Sequence, residues 1–286
     1  MNGILLIDKP AGWTSMDVCA KLRGALREKR IGHSGTLDPM ATGLLVVLLG
    51  RATRAAQYAE AQRKTYEALL RPGIVTDTQD TEGTILFEAD PAVMSDAALA
   101  AVLPRFRGEI EQIPPMYSAV KKDGKKLYEL ARKGVEVERK ARPATISGLE
   151  LVSGGGDAYT LRVRCSKGTY IRTLCQDLGS ALGCGGCMAA LRRTVSGAFR
   201  VENARRIGEI TRENAALLPV DTLFSDADAL VLTGEQERLC RCGSPFPAAL
   251  PDGPRRFYAP DGAFLALGRV ENGAARTVKS FFEVVT

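Results

Sequence analysis

Two neighbouring segments of alternating polar and apolar residues restrict the folds open to this chain most strongly. Residues 144–152 read ATISGLELV and residues 158–166 read AYTLRVRCS, and the turn sequence SGGGD joins them. Alternation with a period of two predicts strands, and a short glycine-rich link predicts that they pair as a hairpin. Elsewhere, predicted strands and helices interleave irregularly, without the regular strand–helix–strand repeat of a parallel sheet. The sequence therefore predicts an α+β fold, in which a mixed, largely antiparallel central sheet is flanked by helices.

The first fifty residues follow the same plan. The opening GILLIDKP predicts a short buried strand. A helix is predicted over residues 13–28, because Thr14 and Asp17 have the spacing of a capping box. LLVVLL, residues 44–49, predicts a further strand and is far too short to span a membrane. Asp8 interrupts the first apolar run and the seven cysteines are scattered, so we expect a reduced cytoplasmic protein without a leader peptide.

A glycine-rich segment between this helix and this strand holds an isolated carboxylate, Asp38. Residues 31–45 read IGHSGTLDPMATGLL and include the only histidine of the chain, His33. Pro39 restricts the residue before it to extended geometry, which fixes how Asp38 is presented. A single ionised carboxylate can act as a covalent nucleophile without a metal or a cofactor. Asp is also common in turns and helix caps, so the local sequence leaves both roles open.

Motifs of several other enzyme classes are missing from the sequence. It has no phosphate-binding loop, no dinucleotide-binding glycine fingerprint and no GxSxG nucleophile motif. A single histidine also disfavours metal-dependent hydrolysis and a serine–histidine–aspartate triad. TDTQD, residues 76–80, is interpreted as a polar turn between strands in preference to a metal site. Two cysteine pairs, Cys184 with Cys187 and Cys240 with Cys242, are interpreted as small buried thiols in preference to a zinc site.

Positive charge is concentrated in residues 117–143. This segment contains nine Lys or Arg and four acidic residues, which is nearly the whole excess of +6 in the chain. Four of the cations flank a predicted Asp-Gly turn: Lys121, Lys122, Lys125 and Lys126. A basic hairpin that also carries Tyr117 and Tyr128 suits nucleic acid, because cations contact phosphates and rings stack on bases. A solvated surface hairpin without a ligand explains the same residues equally well at this stage.

After about residue 230 the sequence changes character. LTGEQERLCRCG predicts one short helix, and the remainder predicts short strands separated by Pro-Asp-Gly and Glu-Asn-Gly turns. We therefore predict two domains: a large domain over residues 1–230, with residues 117–143 as an insertion, and a small β-rich domain over residues 231–286.

Five motifs, taken together, resemble one protein family. GHSGTLDPMATGLL, RKTYEA, PPMYSAVKKDGKKLYELARKG, CSKGTYIRTL and AALRRTVSGAF occur in this order. They are similar to motifs of the bacterial tRNA pseudouridine-55 synthase (TruB) family, whose members isomerise a uridine in the T-loop of tRNA. The resemblance extends into the tail, where DGAFLALGRV resembles a small RNA-binding domain of the PUA type. It implies a catalytic domain of the pseudouridine synthase fold that acts on tRNA as a monomer, without a cofactor, metal ion, membrane or protein partner.

The resemblance also implies roles for single residues. Asp38 matches the catalytic nucleophile. Tyr66 matches the tyrosine that stacks on the target uracil and has been proposed to transfer a proton. Four residues match the remaining substrate-binding set: His33 near the flipped-out nucleotide, Tyr170 and Arg172 lining the pocket with the arginine facing the aspartate, and Leu191 as an apolar wall. The lysines of the basic hairpin are expected to contact the RNA backbone: Lys121, Lys122, Lys125 and Lys126.

The chemistry that the resemblance implies is consistent with these residues. A uridine inside folded RNA hides its glycosidic bond, so the enzyme must extrude the nucleotide and hold it by stacking and edge contacts. A water-excluding pocket would raise the pKa of Asp38, and the guanidinium of Arg172 would oppose that shift. Attack of Asp38 on C1′, attack on C6 and elimination to a glycal all stay open at this point. A non-catalytic RNA chaperone and a synthase for another RNA are the alternative functions.

Overall fold

A computed structural model describes residues 1–91, 94–155 and 157–283. Fourteen strands precede residue 207 in the described part of the chain, and ten of them form one sheet. In chain order the strands are Gly3–Lys9 (β1), Ile31–Ser34 (β2), Thr42–Leu49 (β3), Lys64–Pro72 (β4), Ile74–Thr76 (β5), Ile85–Glu88 (β6), Gly108–Gln112 (β7), Lys121–Lys122 (β8), Lys125–Lys126 (β9), Arg142–Ser153 (β10), Tyr159–Cys165 (β11), Gly186–Ser196 (β12), Phe199–Arg200 (β13) and Arg205–Arg206 (β14).

The order of neighbouring strands in this sheet is β14-β1-β3-β12-β4-β11-β10-β7, with β2 paired to β3 and β13 to β12. The β1–β14 and β3–β12 pairs are parallel and the other pairs are antiparallel. The predicted hairpin is the β10–β11 pair, with Leu149 opposite Val163. Gly156, in its predicted turn, lies outside the described residues. The structure thus confirms the predicted mixed, largely antiparallel sheet.

The α-helices before residue 207 in the described part of the chain are Ser15–Leu26 (α1), Ala56–Ala61 (α2), Asp96–Val102 (α3), Leu127–Ala131 (α4) and Ile171–Ala181 (α5). The first three and α5 pack against this sheet, whereas α4 contacts β9 of the separate β8–β9 pair. The predicted capping box of α1 is confirmed, because the Thr14 hydroxyl accepts from the Asp17 backbone N–H and the Asp17 carboxylate accepts from the Thr14 backbone N–H. No helix in the described part of the chain is long and apolar enough to cross a membrane.

Successive side chains of a strand point to opposite faces of the sheet and therefore belong to different apolar clusters. Helices pack on the sheet through these clusters. On β1, Leu5 packs in one cluster with Leu22 of α1, whereas its neighbour Ile4 belongs to another. A third cluster joins Leu178 of α5 to Leu161 of β11. This two-sided burial follows from the period-two alternation of strands, and it places α5, which carries Arg172, against β4 and β12.

The tail forms a second, five-stranded sheet with the order β15-β17-β18-β19-β16 and one helix. Its elements are Asp228–Val231 (β15), Gly234–Cys242 (α6), Phe246–Pro247 (β16), Gly253–Tyr258 (β17), Phe264–Glu271 (β18) and Ala274–Ser280 (β19). The last three residues of the predicted tail strands, 284–286, lie outside the described residues. The division into domains at residue 231 stays a prediction.

An aromatic cluster joins the tail to the rest of the chain. Phe264 and Phe281 of the tail lie 6.2 and 5.8 Å, between ring centroids, from Phe224. Phe224 in turn lies edge-on to Tyr58 at 5.3 Å. Because these rings bury one another, the tail shares a core with the large sheet in addition to having a core of its own.

Candidate active site

The loop between β2 and β3, residues 35–41, carries Asp38 and is called the Asp38 loop below. Ser15, at the start of α1, holds the residue that precedes the aspartate. The Leu37 backbone N–H donates to Ser15 Oγ at 2.9 Å, and the same hydroxyl lies 3.2 Å from the Leu37 carbonyl oxygen, to which it donates. Ser15 and Leu37 are both buried, so this side of the loop has little freedom to move.

Lys9 holds the residue that follows the aspartate. Its ammonium group is fully buried and donates to three backbone carbonyls: Pro10 at 2.9 Å, Trp13 at 2.6 Å and Pro39 at 3.1 Å. The Gly12 N–H also donates to the Pro39 carbonyl, at 2.9 Å. Burial lowers the pKa of Lys9 to about 8, although the nearby carboxylate of the loop opposes this shift.

Arg172, in the first turn of α5, pairs directly with Asp38. Its Nε lies 3.0 Å from Asp38 Oδ2. The arginine side chain is 7% exposed and the aspartate side chain is 35% exposed. Burial raises the pKa of Asp38, and the charge of Arg172 opposes that rise. The arrangement therefore presents one carboxylate to the outside while a buried cation fixes its position and favours its ionised form.

A second carboxylate, Asp80, contacts the same arginine. Asp80 Oδ2 lies 3.6 Å from Arg172 Nη1, and the Asp80 side chain is 7% exposed. The Thr78 hydroxyl donates to Asp80 Oδ1 at 2.6 Å, and Arg172 Nη1 donates to the Thr78 carbonyl at 3.1 Å. The predicted polar turn between strands is right in position, since residues 77–84 connect β5 to β6. The sequence did not indicate that the Asp80 carboxylate contacts Arg172.

Tyr66 and Leu191 lie on the neighbouring strands β4 and β12. Leu191 is 7% exposed, and Tyr66 is half-buried against the apolar cluster that contains Leu191 and Leu37. Tyr66 is directly opposite Arg193 in the strand register. Burial raises the pKa of the Tyr66 phenol, and the charge of Arg193 opposes that rise.

Tyr170 lies immediately before α5. Its backbone N–H donates to the Gln112 side-chain oxygen at 2.9 Å, and its carbonyl accepts from the Gln112 side-chain nitrogen at 3.1 Å. Two bonds to one buried amide fix the entry to α5, and burial raises the pKa of the Tyr170 phenol. Tyr170 precedes Arg172 by two residues, so the bonds that position Tyr170 also position the beginning of α5, which carries Arg172.

His33 lies on β2, opposite Val47 of β3. Its Nδ1 is buried and has no hydrogen-bond partner among the described residues. Burial and the charge of Arg193 both lower the pKa of His33. Within the described part of the chain no hydrogen bond or ion pair joins His33 to Asp38, so His33 does not belong to the ion-pair group.

The basic hairpin is the β8–β9 pair, in which Lys121 faces Lys126 and Lys122 faces Lys125. Asp123 and Gly124 have φ values of 51° and 79°, as a two-residue turn of type I′ requires. The predicted Asp-Gly turn is therefore confirmed.

The four lysines of the hairpin differ in their partners. Lys122 Nζ donates to the Glu138 carbonyl at 2.8 Å, and Lys126 Nζ lies 5.4 Å from the centre of the Tyr128 ring. Lys121 and Lys125 are exposed, and their ammonium groups have no hydrogen-bond or ion-pair partner in the described part of the chain. Two of the cations are thus free to meet a phosphate.

The segment that carries the hairpin reaches the ion-pair group at its base. Arg172 Nη2 donates to the backbone carbonyl of Tyr117 at 2.9 Å. One guanidinium therefore contacts the Asp38 loop, the Asp80 turn and the start of the basic segment. This connection joins residues that are far apart in the sequence.

The two cysteine pairs lie in different elements, Cys184 and Cys187 around the beginning of β12 and Cys240 and Cys242 in α6. Cys184, Cys187 and Cys240 are buried and Cys242 is exposed, and all four have free thiols. Among the described residues, no group of three or more His, Cys, Asp or Glu side chains is placed to hold a metal ion.

Comparisons with known proteins bear on both the site and the fold. A family model described as the N-terminal domain of TruB family pseudouridylate synthases matches residues 23–171, and a model of the tRNA pseudouridylate synthase B C-terminal domain matches residues 172–225. The chain is 44% identical to tRNA pseudouridine synthase B of Dechloromonas aromatica (strain RCB), over 96% of this chain and 93% of that protein. It is 49% identical to the protein of the same name from Azoarcus sp. (strain BH72), over 81% and 76% of the two chains.

Solved structures agree with the predicted fold. A chain from the crystal structure of a Cbf5-Nop10-Gar1 complex superposes with a TM-score of 0.74 at 26% identity, over 98% of this chain and 85% of that chain. A chain from an H/ACA ribonucleoprotein bound to a substrate RNA containing 2′-deoxyuridine gives a TM-score of 0.73 at 23% identity, with the same coverage. These likenesses confirm the predicted fold class.

Proposed function

This chain belongs to the TruB family of pseudouridylate synthases and is a tRNA pseudouridine synthase, and we propose that its target is uridine 55 in the T-loop. The reaction is an isomerisation. The bond between N1 and C1′ of the uridine breaks, the uracil turns, a bond between C5 and C1′ forms, and the proton on C5 is replaced by one on N1. Atoms and electrons balance within the nucleotide, so we expect no cofactor.

We propose that Asp38 is the nucleophile of this reaction. The observation that carries the proposal is the pairing of a partly exposed carboxylate with a buried guanidinium at 3.0 Å. The arginine opposes protonation of Asp38, and a carboxylate nucleophile must be ionised to attack. The hydrogen bond that Ser15 accepts from Leu37 and the one that Lys9 donates to Pro39 fix the direction in which the carboxylate points.

The aromatic and apolar residues around Asp38 are proposed to hold the extruded base. Tyr66 would stack on the uracil, Leu191 would form an apolar wall, and Tyr170 would line the opening of the pocket. Stacking on an aromatic ring contributes about 1–3 kcal/mol per base, which offsets part of the unstacking that extrusion requires. His33 is proposed to contact the region of the flipped nucleotide, next to the ion-pair group.

The basic hairpin is proposed to bind the backbone of the T-arm. Lys121 and Lys125 have exposed ammonium groups, and Tyr128 offers a ring beside the cation of Lys126. Lys122 is proposed to contact the backbone as well, although it already donates to a backbone carbonyl of the protein. We further propose that the enzyme acts as a monomer in the cytoplasm and that residues 231–286 form a PUA-like domain that adds affinity for tRNA.

The proposed target is tested with purified protein and an unmodified tRNA transcript. After reaction, pseudouridine is labelled chemically and mapped along the transcript. We expect one pseudouridine, at position 55, and none in a transcript in which that uridine is replaced by cytidine. Pseudouridine elsewhere, or only in another RNA, would refute the assignment of the target. Tight tRNA binding without any pseudouridine would favour a non-catalytic RNA chaperone.

A further inference from the structure

Arg193 of β12 is a buried cation that the reaction described above does not use. The residue is 1% exposed and is among the largest fully buried side chains of the chain. None of the ion pairs among the described residues includes it. A buried charge without a carboxylate partner is costly unless its N–H groups are bonded, so the position of its donors is informative.

The bonds of Arg193 go to the first residue of the Asp38 loop and to β3, the strand that follows the loop. Its Nε donates to the Leu44 carbonyl at 2.7 Å, and its Nη2 donates to the Gly35 carbonyl at 3.1 Å. Gly35 begins the loop, and Leu44 lies shortly after its end. The planar fork of a guanidinium holds such a pair of acceptors in a fixed relative position, which an ammonium group cannot do.

Two glycines of the same segment make room for this arginine. Gly35 has a φ of +72°, and a Cβ there would lie 3.3 Å from Arg193 Nη1. Gly43 has a φ of +98°, and a Cβ there would lie 2.3 Å from the Arg193 carbonyl oxygen. Both glycines therefore allow β12 and its arginine to approach the loop closely. This contact explains why the GTLDPMATG segment begins and ends with glycine.

The same arginine faces the tyrosine of the site. Arg193 and Tyr66 are direct partners in the antiparallel pair of β12 and β4. Side chains of direct partners project from the same face of a sheet, with Cβ atoms about 5 Å apart. Arg193 thus connects the loop that carries Asp38 with the strand that carries Tyr66.

We propose that Arg193 is a positioning residue of the reaction, which fixes the beginning of the Asp38 loop and the strand that follows the loop against β12 and so sets the separation between Asp38 and Tyr66. The inference rests on the proposed function, in which these two residues contact the same uridine. Arg193 is 1% exposed, so we expect it to make no contact with the substrate. Its removal should therefore slow the chemical step and leave tRNA affinity almost unchanged.

The test compares Arg193→Lys with Arg255→Lys. A lysine keeps the charge but cannot hold two carbonyls in a fixed fork. Arg255 is the control, because it is also buried and also donates to two backbone carbonyls, those of Pro251 and Pro254. It lies in the tail sheet and, unlike Arg193, also has a carboxylate, that of Asp228, at 3.6 Å. Both variants should melt at lower temperature than the wild type, and rates are measured well below both melting temperatures.

We expect Arg193→Lys to lower the single-turnover rate about 10²-fold, as a small misplacement of reacting groups does, with little change in Kd for tRNA. Arg255→Lys should retain the wild-type rate. The inference is wrong if Arg193→Lys keeps the wild-type rate, if its rate and affinity fall together, or if Arg255→Lys loses as much rate. A wild-type protein that makes no pseudouridine would refute the proposed function instead.

A second pair of variants decides the matter if Arg193→Lys does not fold. Gly35→Ala adds a methyl group against Arg193 Nη1, whereas Gly262→Ala introduces similar backbone strain, at a φ of +85°, with no atom within 4 Å. We expect a loss of single-turnover rate at unchanged tRNA affinity for Gly35→Ala only. Equal rates for the two variants would overturn the inference.

Discussion

The Asp38 site and the basic hairpin hold their charges in opposite ways. In the site, Arg172 lies between Asp38 at 3.0 Å and Asp80 at 3.6 Å, and its side chain is 7% exposed. In the hairpin, Lys121 and Lys125 are exposed. Buried pairs are weakly screened by salt, whereas exposed cations that meet phosphates release counterions and respond steeply to salt. From this difference we predict that chemistry and tRNA affinity depend on separate groups of charges.

Asp38→Asn should have the largest effect. Asn has nearly the same shape and can still accept a hydrogen bond from Arg172, but it cannot act as an anionic nucleophile. We expect the single-turnover rate of pseudouridine formation to fall by about 10⁴-fold or more, with tRNA affinity little changed. Asp77→Asn is the control, since Asp77 is exposed and only caps a turn through the Thr84 N–H. If Asp38→Asn kept a substantial part of the rate, the assignment of the nucleophile would be wrong.

Asp80→Asn should have the second largest effect. An amide keeps the bond from the Thr78 hydroxyl but removes the second negative charge that faces Arg172. We expect the single-turnover rate to fall about tenfold, because Arg172 is held less firmly against Asp38. An unchanged rate would show that Asp80 only stabilises its own turn, as the sequence had suggested.

The pH dependence of the rate tests how the charge of Asp80 affects Asp38. In the proposed reaction only the ionised carboxylate attacks, so we expect the rate to fall as pH decreases through the pKa of Asp38. The charge of Asp80 raises the pKa of Asp38. Asp80→Asn should therefore move this acid limb to lower pH, even as it lowers the maximal rate. A limb that moves to higher pH would contradict the assignment of Asp80 as a neighbour that disfavours ionisation.

The smallest effect on rate is expected in the hairpin. Changing Lys121 and Lys125 together to Gln should weaken tRNA binding and flatten the log–log salt dependence of the binding constant by about two units. The rate at saturating enzyme should not change. In the matched pair, Lys122→Gln with Lys126→Gln, the slope should change less, because these two side chains already have partners within the protein. If both double variants changed the salt dependence of tRNA binding equally, contacts within the protein would not determine which lysines bind the RNA.

The features that the sequence predicted well depend on neighbours in the chain. The capping box of α1 needs only Thr14 and Asp17, and the turn of the basic hairpin needs only an Asp-Gly pair. The five-residue helix α4 after this hairpin was not predicted, because it is too short to show a helical period.

The missed parts of the site depend on contacts between distant residues. Arg172 reaches the Asp80 turn through a partner 94 residues away, and Arg193 reaches Gly35 across 158 residues. No local pattern marks Asp80 as buried, since TDTQD has the composition of an ordinary turn. One sequence does not reveal which distant residues are in contact. The fold is needed to show that Asp38 and Asp80 contact the same arginine.

The predicted separation of chemistry from affinity can be examined in the wild-type enzyme alone. The single-turnover rate at saturating enzyme and the Kd for tRNA are followed across a series of salt concentrations. We expect Kd to rise steeply with salt, with a log–log slope of about one unit per phosphate contact, while the saturated rate stays constant. A saturated rate that falls with salt in parallel with affinity would show that the exposed cations also take part in the chemical step, and would contradict the separation.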